Sequence, residues 1–278
     1  MNEPKLRHIW LCADDYGISP GVSAAIRDLI ARTRINATSV MVVAPSLSLA
    51  EVAALEEAAA ARGAIGLHVT LTGPFAPLSA GFAPTRNGAF LPLAATAARA
   101  LARALKPELL ETEISSQFAA FDAVFGRAPD FIDGHQHIHV FPQIREALLR
   151  VIGKAAPRAW LRQCGRPTAA RKSLADPKGL VLDALSLRLR RLAAHAGVRT
   201  NPAFAGTYSF APGADYAKLF PGFLDGLPDG GVVMCHPGKV DAELRRLDPL
   251  TDLREREYGY FLDDAFLRLL AARGVALA

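Results

Sequence analysis

The chain has 278 residues, of which 51% are hydrophobic and 21% charged, a balance that excludes an intrinsically disordered protein. Its 22 glycines and 19 prolines follow no strict period, which excludes a fibrous protein. Three cysteines without a C-x-x-C pair indicate neither a disulfide framework nor a thiolate zinc site. We expect a cytoplasmic protein without a signal peptide or a transmembrane segment, because the apolar runs are too short or are interrupted.

Short apolar runs alternate with longer segments of helical periodicity along the chain. The short runs predict strands at Ile9–Ala13, Thr38–Ala44, Ala64–Leu71, Asp130–Asp133, Ala159–Leu161, Val232–Cys235 and Val275–Ala278. The longer segments predict helices at Gly21–Arg32, Leu47–Arg62, Glu108–Phe125, Pro142–Gly153, Lys178–Ala196, Tyr216–Leu224 and Leu253–Arg273. This alternation predicts a mainly parallel α/β sheet, either a closed barrel or an open doubly wound sheet.

Local signals mark a helix start and a long loop. Ser19-Pro20 predicts an N-cap followed by proline at the first helical position, where a missing N–H costs nothing. The Gly/Pro-rich segment Gly73–Pro92 follows a predicted strand and is the clearest long loop. Because barrels place substrate-binding loops after their strands, this loop is a candidate for substrate contact.

Positive charge is concentrated between Arg145 and Arg199. The formal net charge is +5, yet this segment alone carries 13 Lys/Arg and three acids, a net charge of +10. Such a segment is typical of a protein with an anionic partner, and it is equally typical of solvated helix faces. No nucleic-acid partner is expected, and a peripheral membrane contact stays open as an alternative.

Two adjacent carboxylates, Asp14 and Asp15, follow the first predicted strand and precede a turn at Gly17. Such a pair is costly to bury unless a cation lies beside it, and a metal ion meets that need. One carboxylate would bind the ion while its neighbour serves as a base. The pattern also fits an Asp pair that caps the next helix, so both interpretations stay open at this point.

Histidines lie inside or directly after two predicted strands. His68 lies in the third predicted strand, where it is either a metal ligand or a hydrogen-bonded core residue. His135, His137 and His139 occupy alternate positions after the fourth predicted strand. In an extended chain these three share one face, so at least two imidazoles can converge on one ion. The spacing does not identify which of them is the ligand.

Two further side chains are candidates for a role in catalysis. His236 follows the strand Val232–Cys235 and is a candidate general acid or base, whereas its neighbour Cys235 is expected in the core. Arg162 follows the strand Ala159–Leu161 and is a candidate to orient a carboxylate or an oxyanion.

The strand ends would bring these groups to a common rim, which predicts a single domain over residues 1–278. One carboxylate and two imidazoles with open positions suit a metal-dependent hydrolase, including a phosphoesterase. They also suit a non-haem iron oxygenase. A separate base and a separate acid favour hydrolysis.

These segments, in this order and spacing, resemble the YdjC-like (ChbG/HpnK) carbohydrate deacetylases. The resemblance covers nearly the whole chain and rests jointly on Ala13–Ser19, Gly66–His68, Phe125–Pro129, Asp133–Pro142 and Met234–Pro237. It implies a distorted TIM-like (β/α) barrel of the glycoside hydrolase/deacetylase type, a divalent metal ion (Mg²⁺ or Zn²⁺) and a homodimer. The implied reaction removes acetyl groups from an N-acetylated sugar, either a chito-oligosaccharide or an N-acetylglucosaminyl glycolipid.

The resemblance also implies roles for particular residues. It places the metal on Asp15, His68 and His135, with Asp14 as the base and His236 as the acid. It also assigns His137 to the substrate or to a position behind the metal ligands. Tyr16, next to Asp15, and Arg162, from its place after a strand, are further candidates for such a contact. These residue roles are expectations for the site in the folded protein.

Overall fold

The structure of the protein is a computed structural model that describes residues 6–60, 63–167 and 177–278. Within these ranges, strands alternate with helices along the chain. The strands are β1 (Arg7–Tyr16), β2 (Ala37–Val40), β3 (Ala64–Val69), β4 (Thr85–Arg86), β5 (Ala89–Phe90), β6 (Phe131–Gly134), β7 (Trp160–Leu161), β8 (Phe204–Ala205), β9 (Val232–Cys235) and β10 (Val275–Leu277).

Seven of these strands form one parallel sheet in the order β7-β6-β3-β2-β1-β9-β8, and β10 pairs in parallel with the start of β1. A parallel bridge between Leu161 and Thr200 links the two ends of this order. The sheet therefore curls into a distorted (β/α) barrel, which confirms the predicted fold class over the open doubly wound alternative. Because neighbouring strands run parallel, their carboxyl ends lie at one edge of the barrel.

Helices cover the outside of the sheet, as alternating connections require. They are α1 (Pro20–Ala31), α2 (Leu49–Ala59), α3 (Leu93–Leu101), α4 (Pro107–Phe125), α5 (Ile144–Ala155), α6 (Pro177–His195), α7 (Tyr216–Phe223), α8 (Leu244–Leu247), α9 (Asp252–Leu262) and α10 (Asp264–Ala272). None of the helices in the described ranges has the length and the apolar character needed to cross a bilayer.

Most predicted elements are present, and the differences have local causes. The hydroxyl of Ser19 accepts a hydrogen bond from the backbone N–H of Val22, and Pro20 begins α1, as predicted. The single helix predicted at the C-terminal end is two helices. Asp263 is extended between them, and its carboxylate accepts a hydrogen bond from the N–H of Ala265, so that it caps α10.

The sequence analysis missed five elements, α3, α8, β4, β5 and β8, and two of its segments run partly outside the described ranges. The last two residues of the helix predicted to end at Arg62 lie outside, and so do residues 168–176 of the basic segment. The strand β8 is only two residues long, which is too short for any periodic pattern to reveal. It nevertheless matters, because the chain after it forms one wall of the site.

The central strand β1 is buried on both faces, which explains its near-continuous apolar sequence. Ile9, Leu11, Cys12 and Ala13 are all fully buried. Cys235, in register with Ala13 on β9, is also in the core, as predicted from its place beside His236. The carboxylates that follow Ala13 are therefore held by a rigid, packed strand.

Gly206, directly after β8, has no room for a side chain. Its φ is +104°, and a Cβ there would overlap the carbonyl oxygen of Met234 on β9. We expect Gly206→Ala to lower the free energy of unfolding by about 3 kcal/mol, because backbone strain and overlap add. Gly222→Ala in α7, where a Cβ meets nothing within 4 Å, is the control and should be neutral or stabilising. Urea unfolding of both variants measures this, and equal stabilities would contradict the expectation.

Candidate metal centre and active site

The adjacent carboxylates of Asp14 and Asp15 point to different partners because the chain turns between them. Asp15 has a φ of +68°, and the pairing of β1 with β2 shifts register between Ala13 and Tyr16. An irregularity of this kind at the end of a strand re-aims side chains. The two side chains are 2% or less exposed, so each needs a partner of opposite charge.

Asp15, His68 and His135 form one of two groups in the described residues that could hold a metal ion; the other is Cys12, Asp14 and Asp133. The Oδ1 atom of Asp15 lies 2.9 Å from Nδ1 of His135 and 3.2 Å from Nε2 of His68. One ligand atom from each residue lies within 4.8 Å of the others. One carboxylate oxygen and two imidazole nitrogens are a donor set that divalent ions use with open positions for water or substrate.

Two side chains orient the imidazole of His68 through Nδ1, the ring nitrogen that does not face Asp15. Its Nδ1 lies 2.6 Å from Oδ1 of Asp133 and 2.9 Å from the hydroxyl of Ser39. Burial opposes a charge on the ring, but Asp133, Asp15 and Asp14 together raise the pKa of His68 to about 10. A carboxylate behind a metal-binding imidazole fixes its tautomer and directs the other nitrogen to the ion. Here that nitrogen is Nε2, which faces Asp15.

The charges of this cluster also fit a divalent cation. Four carboxylates, those of Asp14, Asp15, Asp133 and Asp248, contact two guanidinium groups, those of Arg162 and Arg254. Four negative charges against two positive ones leave a formal charge of −2 on these six side chains, which a protonated His68 offsets only in part. Such a charge is costly to bury unless a cation compensates it, so the residues present fit a divalent metal ion.

The carboxylate of Asp14 is paired with Arg162, which is fully buried. The Nη1 and Nη2 atoms of Arg162 donate to the two carboxylate oxygens of Asp14, each at 2.7 Å. Nη2 also lies 2.6 Å from Oδ2 of Asp133. Burial opposes the charge on Asp14, but Arg162 outweighs it and holds the pKa of this carboxyl well below its usual range. Asp14 is therefore an oriented, ionised carboxylate next to Asp15.

His236 lies on the other side of Asp15, directly after β9. Its Nε2 is 4.0 Å from Oδ2 of Asp15, and its side chain is 14% exposed. Burial lowers the pKa of His236, although the neighbouring carboxylates oppose that effect. A histidine with a lowered pKa is a better proton donor once it is protonated, which suits a general acid.

Comparison with known protein families identifies the family of this chain. The model of the family described as YdjC-like protein matches residues 8–272. The chain belongs to the YdjC-like family.

Three solved structures share the fold of this YdjC-like chain. A protein of Enterococcus faecalis V583, provisionally assigned to cellobiose-phosphate cleavage, is 21% identical with a TM-score of 0.74, and the match covers 99% of this chain and 97% of that one. An uncharacterised protein of Agrobacterium tumefaciens C58 is 13% identical, with a TM-score of 0.53 and coverages of 100% and 89%. The lactam utilization protein of Thermus thermophilus is 14% identical, with a TM-score of 0.51 and 99% coverage of each chain. At these identities the likeness supports the fold alone.

The three histidines after β6 do not share a face in this YdjC-like chain. Residues 135–140 form a short helical turn, with Gln136 and His137 at φ +55° and +57°. His135 alone of the three contacts Asp15. Nδ1 of His137 lies 3.6 Å from Sγ of Cys164, and Nε2 of His139 lies 2.9 Å from the carbonyl oxygen of Arg162. The expectation of an extended segment was wrong, because left-handed residues turn the chain.

Tyr16 does not reach the metal group, which corrects its assignment as a substrate or ligand contact. Its side chain is fully buried, and its hydroxyl donates to the carbonyl oxygen of Glu51 at 2.7 Å. The Nη1 atom of Arg27 donates to the same hydroxyl at 2.9 Å. Because the backbone turns at Asp15, the next side chain projects toward α1 and α2, where Tyr16 has a structural role.

Arg254 is a site residue that the sequence analysis missed. It is fully buried in α9, and its Nη2 lies 2.6 Å from Oδ2 of Asp15 and 2.7 Å from Oδ2 of Asp248. This contact leaves Oδ1 of Asp15 to the two histidines. An arginine in a charged stretch of helix looks like a surface residue in the sequence, so no local pattern could have identified it.

We expect Arg254→Met to lower the free energy of unfolding of the metal-free protein by about 3 kcal/mol, because buried Asp15 and half-buried Asp248 lose their shared cation. Arg273→Met is a matched control, since its pair with Asp225 is exposed and should be worth less than about 0.5 kcal/mol. Chemical denaturation of both variants gives the comparison. Similar small losses in the two variants would show that Arg254 does not compensate these carboxylates.

Proposed function

We propose that this chain is a metal-dependent hydrolase that removes acetyl groups from N-acetylated sugars and releases a free amine and acetate. The observation that carries the proposal is that the two adjacent carboxylates have different partners and would therefore have different roles. Asp15 faces two imidazoles, whereas Asp14 faces a guanidinium and stays ionised. A ligand carboxylate, a separate carboxylate base and a separate histidine are what amide hydrolysis requires. Membership of the YdjC-like family supports the same reaction class.

Asp15, His68 and His135 would hold the ion, and when bound it would polarise the acetyl carbonyl and acidify a water molecule. Asp14 would accept a proton from that water at one of its carboxylate oxygens, while Arg162 keeps the carboxylate in place. His236 would donate a proton to the nitrogen of the leaving amine, because an amine leaves poorly unless it is protonated. The chain thus offers a proton acceptor and a proton donor on either side of Asp15.

The proposed substrate is a chito-oligosaccharide or an N-acetylglucosaminyl glycolipid. The proposed cofactor is Zn²⁺ or Mg²⁺. Two imidazole ligands favour Zn²⁺ over Mg²⁺, since magnesium prefers an all-oxygen set with several waters.

The test is to incubate protein loaded with Zn²⁺ or Mg²⁺ with a panel of N-acetylated sugars, O-acetylated sugars and phosphate esters. Acetate and free amine should appear in equal amounts, and only with the N-acetylated members. Phosphate release or oxygen uptake without acetate would instead assign a phosphoesterase or an oxygenase to the same ligands. Protein that contains one equivalent of metal and releases acetate from no member would contradict the proposal.

A further inference from the structure

Glu257 is a buried carboxylate in α9 that the proposed reaction does not use. It is 1% exposed, and both of its oxygens accept hydrogen bonds. The backbone N–H of His236 donates to Oε2 at 2.6 Å, and the hydroxyl of Tyr208 donates to Oε1 at 2.7 Å. A carboxylate placed this deep and paired on both oxygens holds its partners in fixed positions.

Tyr208 links Glu257 to the imidazole of His236 through a third ring. The rings of Tyr208 and Phe210 are 4.1 Å apart, and the ring of Phe210 meets that of His236 at 5.6 Å with an angle of 75°. Phe210 has a φ of +52°, which a bulky side chain adopts only where its surroundings hold it. Glu257 therefore reaches His236 twice, at its backbone directly and at its ring through Tyr208 and Phe210.

The charge of Glu257 suits this role. Burial raises its pKa to about 7, and the bonds from His236 and Tyr208, together with Arg254, act against that rise. The two donated hydrogen bonds favour the ionised form, which accepts at both oxygens, and they lessen the rise that burial causes without cancelling it. Arg254 precedes Glu257 by one helical turn and holds Asp15, so one face of α9 supports both the metal ligand and the histidine.

We infer that Glu257 is a positioning residue for His236, which it fixes at the backbone and, through Tyr208 and Phe210, at the imidazole. The inference rests on the proposed function, in which His236 acts as the acid. It also makes the chain after β8 part of the site, since Tyr208 and Phe210 come from that segment. Neither Glu257 nor Tyr208 needs to touch the substrate.

One arm of the test is independent of activity. Full-length, metal-loaded protein labelled with ¹⁵N-histidine should give few enough amide signals to follow singly, since the chain has seven histidines. The His236 signal, assigned by its loss in His236→Gln, should lie downfield because of its short bond to a carboxylate. It should move upfield in Glu257→Gln and also shift in Tyr208→Phe. An unmoved His236 signal in Glu257→Gln would overturn the inference, whether or not the protein releases acetate.

The second arm is kinetic and uses N-acetylated sugar that the wild type hydrolyses. We expect kcat to fall about 30-fold in Glu257→Gln and about 10-fold in Tyr208→Phe, with KM within about twofold, because a displaced acid slows the chemical step. The double variant should be no slower than the Glu257 variant, since both changes act through one contact. Unchanged kcat in both single variants, or effects that multiply in the double variant, would overturn the inference.

Tyr258→Phe is the matched control for the loss of a tyrosine hydroxyl. Tyr258 lies next to Glu257 in α9, and its hydroxyl donates to Asp28 at 2.8 Å, away from the site. This variant should keep both the wild-type kcat and the wild-type His236 signal. Wild-type protein that releases no acetate would count against the proposed function, and the amide signals would still decide whether Glu257 holds His236.

Discussion

Replacing Asp14 with asparagine should lower kcat for acetate release by at least about 1,000-fold while the bound metal is retained. The variant should be less stable than the wild type, because buried Arg162 loses one of its two carboxylate partners. The amide cannot accept a proton from water, and loss of an essential general base together with its charge typically costs this much. The proposed metal ligands are separate residues, so metal content should stay near one equivalent. Activity assays, metal analysis and thermal unfolding of the same preparation measure the three quantities.

Asp225→Asn is the control for the change from carboxylate to amide. Asp225 pairs with Arg273 at the surface, so this variant should keep the wild-type kcat. If Asp14→Asn retains its metal and more than a tenth of the wild-type kcat, Asp14 is not the base. If it loses its metal together with activity, Asp14 belongs to the metal group and the division between the two carboxylates is wrong.

The second large effect is expected from His135→Ala, which should weaken metal binding by at least about 100-fold, because one of the three proposed ligands is lost. The imidazole of His135 contacts Asp15 through Nδ1 and packs edge-on against His68 and Phe75. Calorimetric titration of metal-stripped protein measures the affinity. Acetate release at limiting metal should fall in parallel.

His137→Ala is the matched control, since it removes a neighbouring imidazole that faces Cys164 and Phe204. Its metal affinity should equal that of the wild type. Equal losses in the two variants would contradict the ligand set and would place His137 at the metal. If only His137→Ala weakened metal binding, His137 rather than His135 would be the ligand from this triplet.

The sequence predicted the parts of the fold and site that depend on strand ends. Apolar runs identified β1, β3, β6 and β9, and in parallel strands the residues that follow such runs meet at one edge of the sheet. Asp14, Asp15, His68, His135 and His236 are brought together there for that reason. The resemblance of these segments to the YdjC-like family then indicated which of the ligand sets allowed by spacing to expect.

The remaining parts depend on backbone turns and on contacts between distant segments. Left-handed residues at Asp15, Gln136 and His137 direct Tyr16 away from the metal group and separate the three histidines, and no periodic pattern encodes such turns. Arg254 and Glu257 reach the site from the last part of the chain. Their sequence context, with alternating charges in a helix, is the same as that of a solvated surface.

The single domain over residues 1–278, the homodimer and the cytoplasmic location stay predictions, and a peripheral membrane contact of the basic segment Arg145–Arg199 stays an open alternative. A single cooperative unfolding transition tests the single domain, the mass of the protein in solution tests the homodimer, and sedimentation with anionic vesicles tests the membrane contact.

The most direct test of the account is to titrate metal back into stripped protein while acetate release from an N-acetylated sugar is followed. We expect the rate to rise linearly and to stop rising at one equivalent of metal, because the proposed ligands Asp15, His68 and His135 would form one site. Asp14→Asn should bind the same equivalent and stay inactive. Full activity in stripped protein, or activity in Asp14→Asn that rises with the metal as in the wild type, would contradict the account.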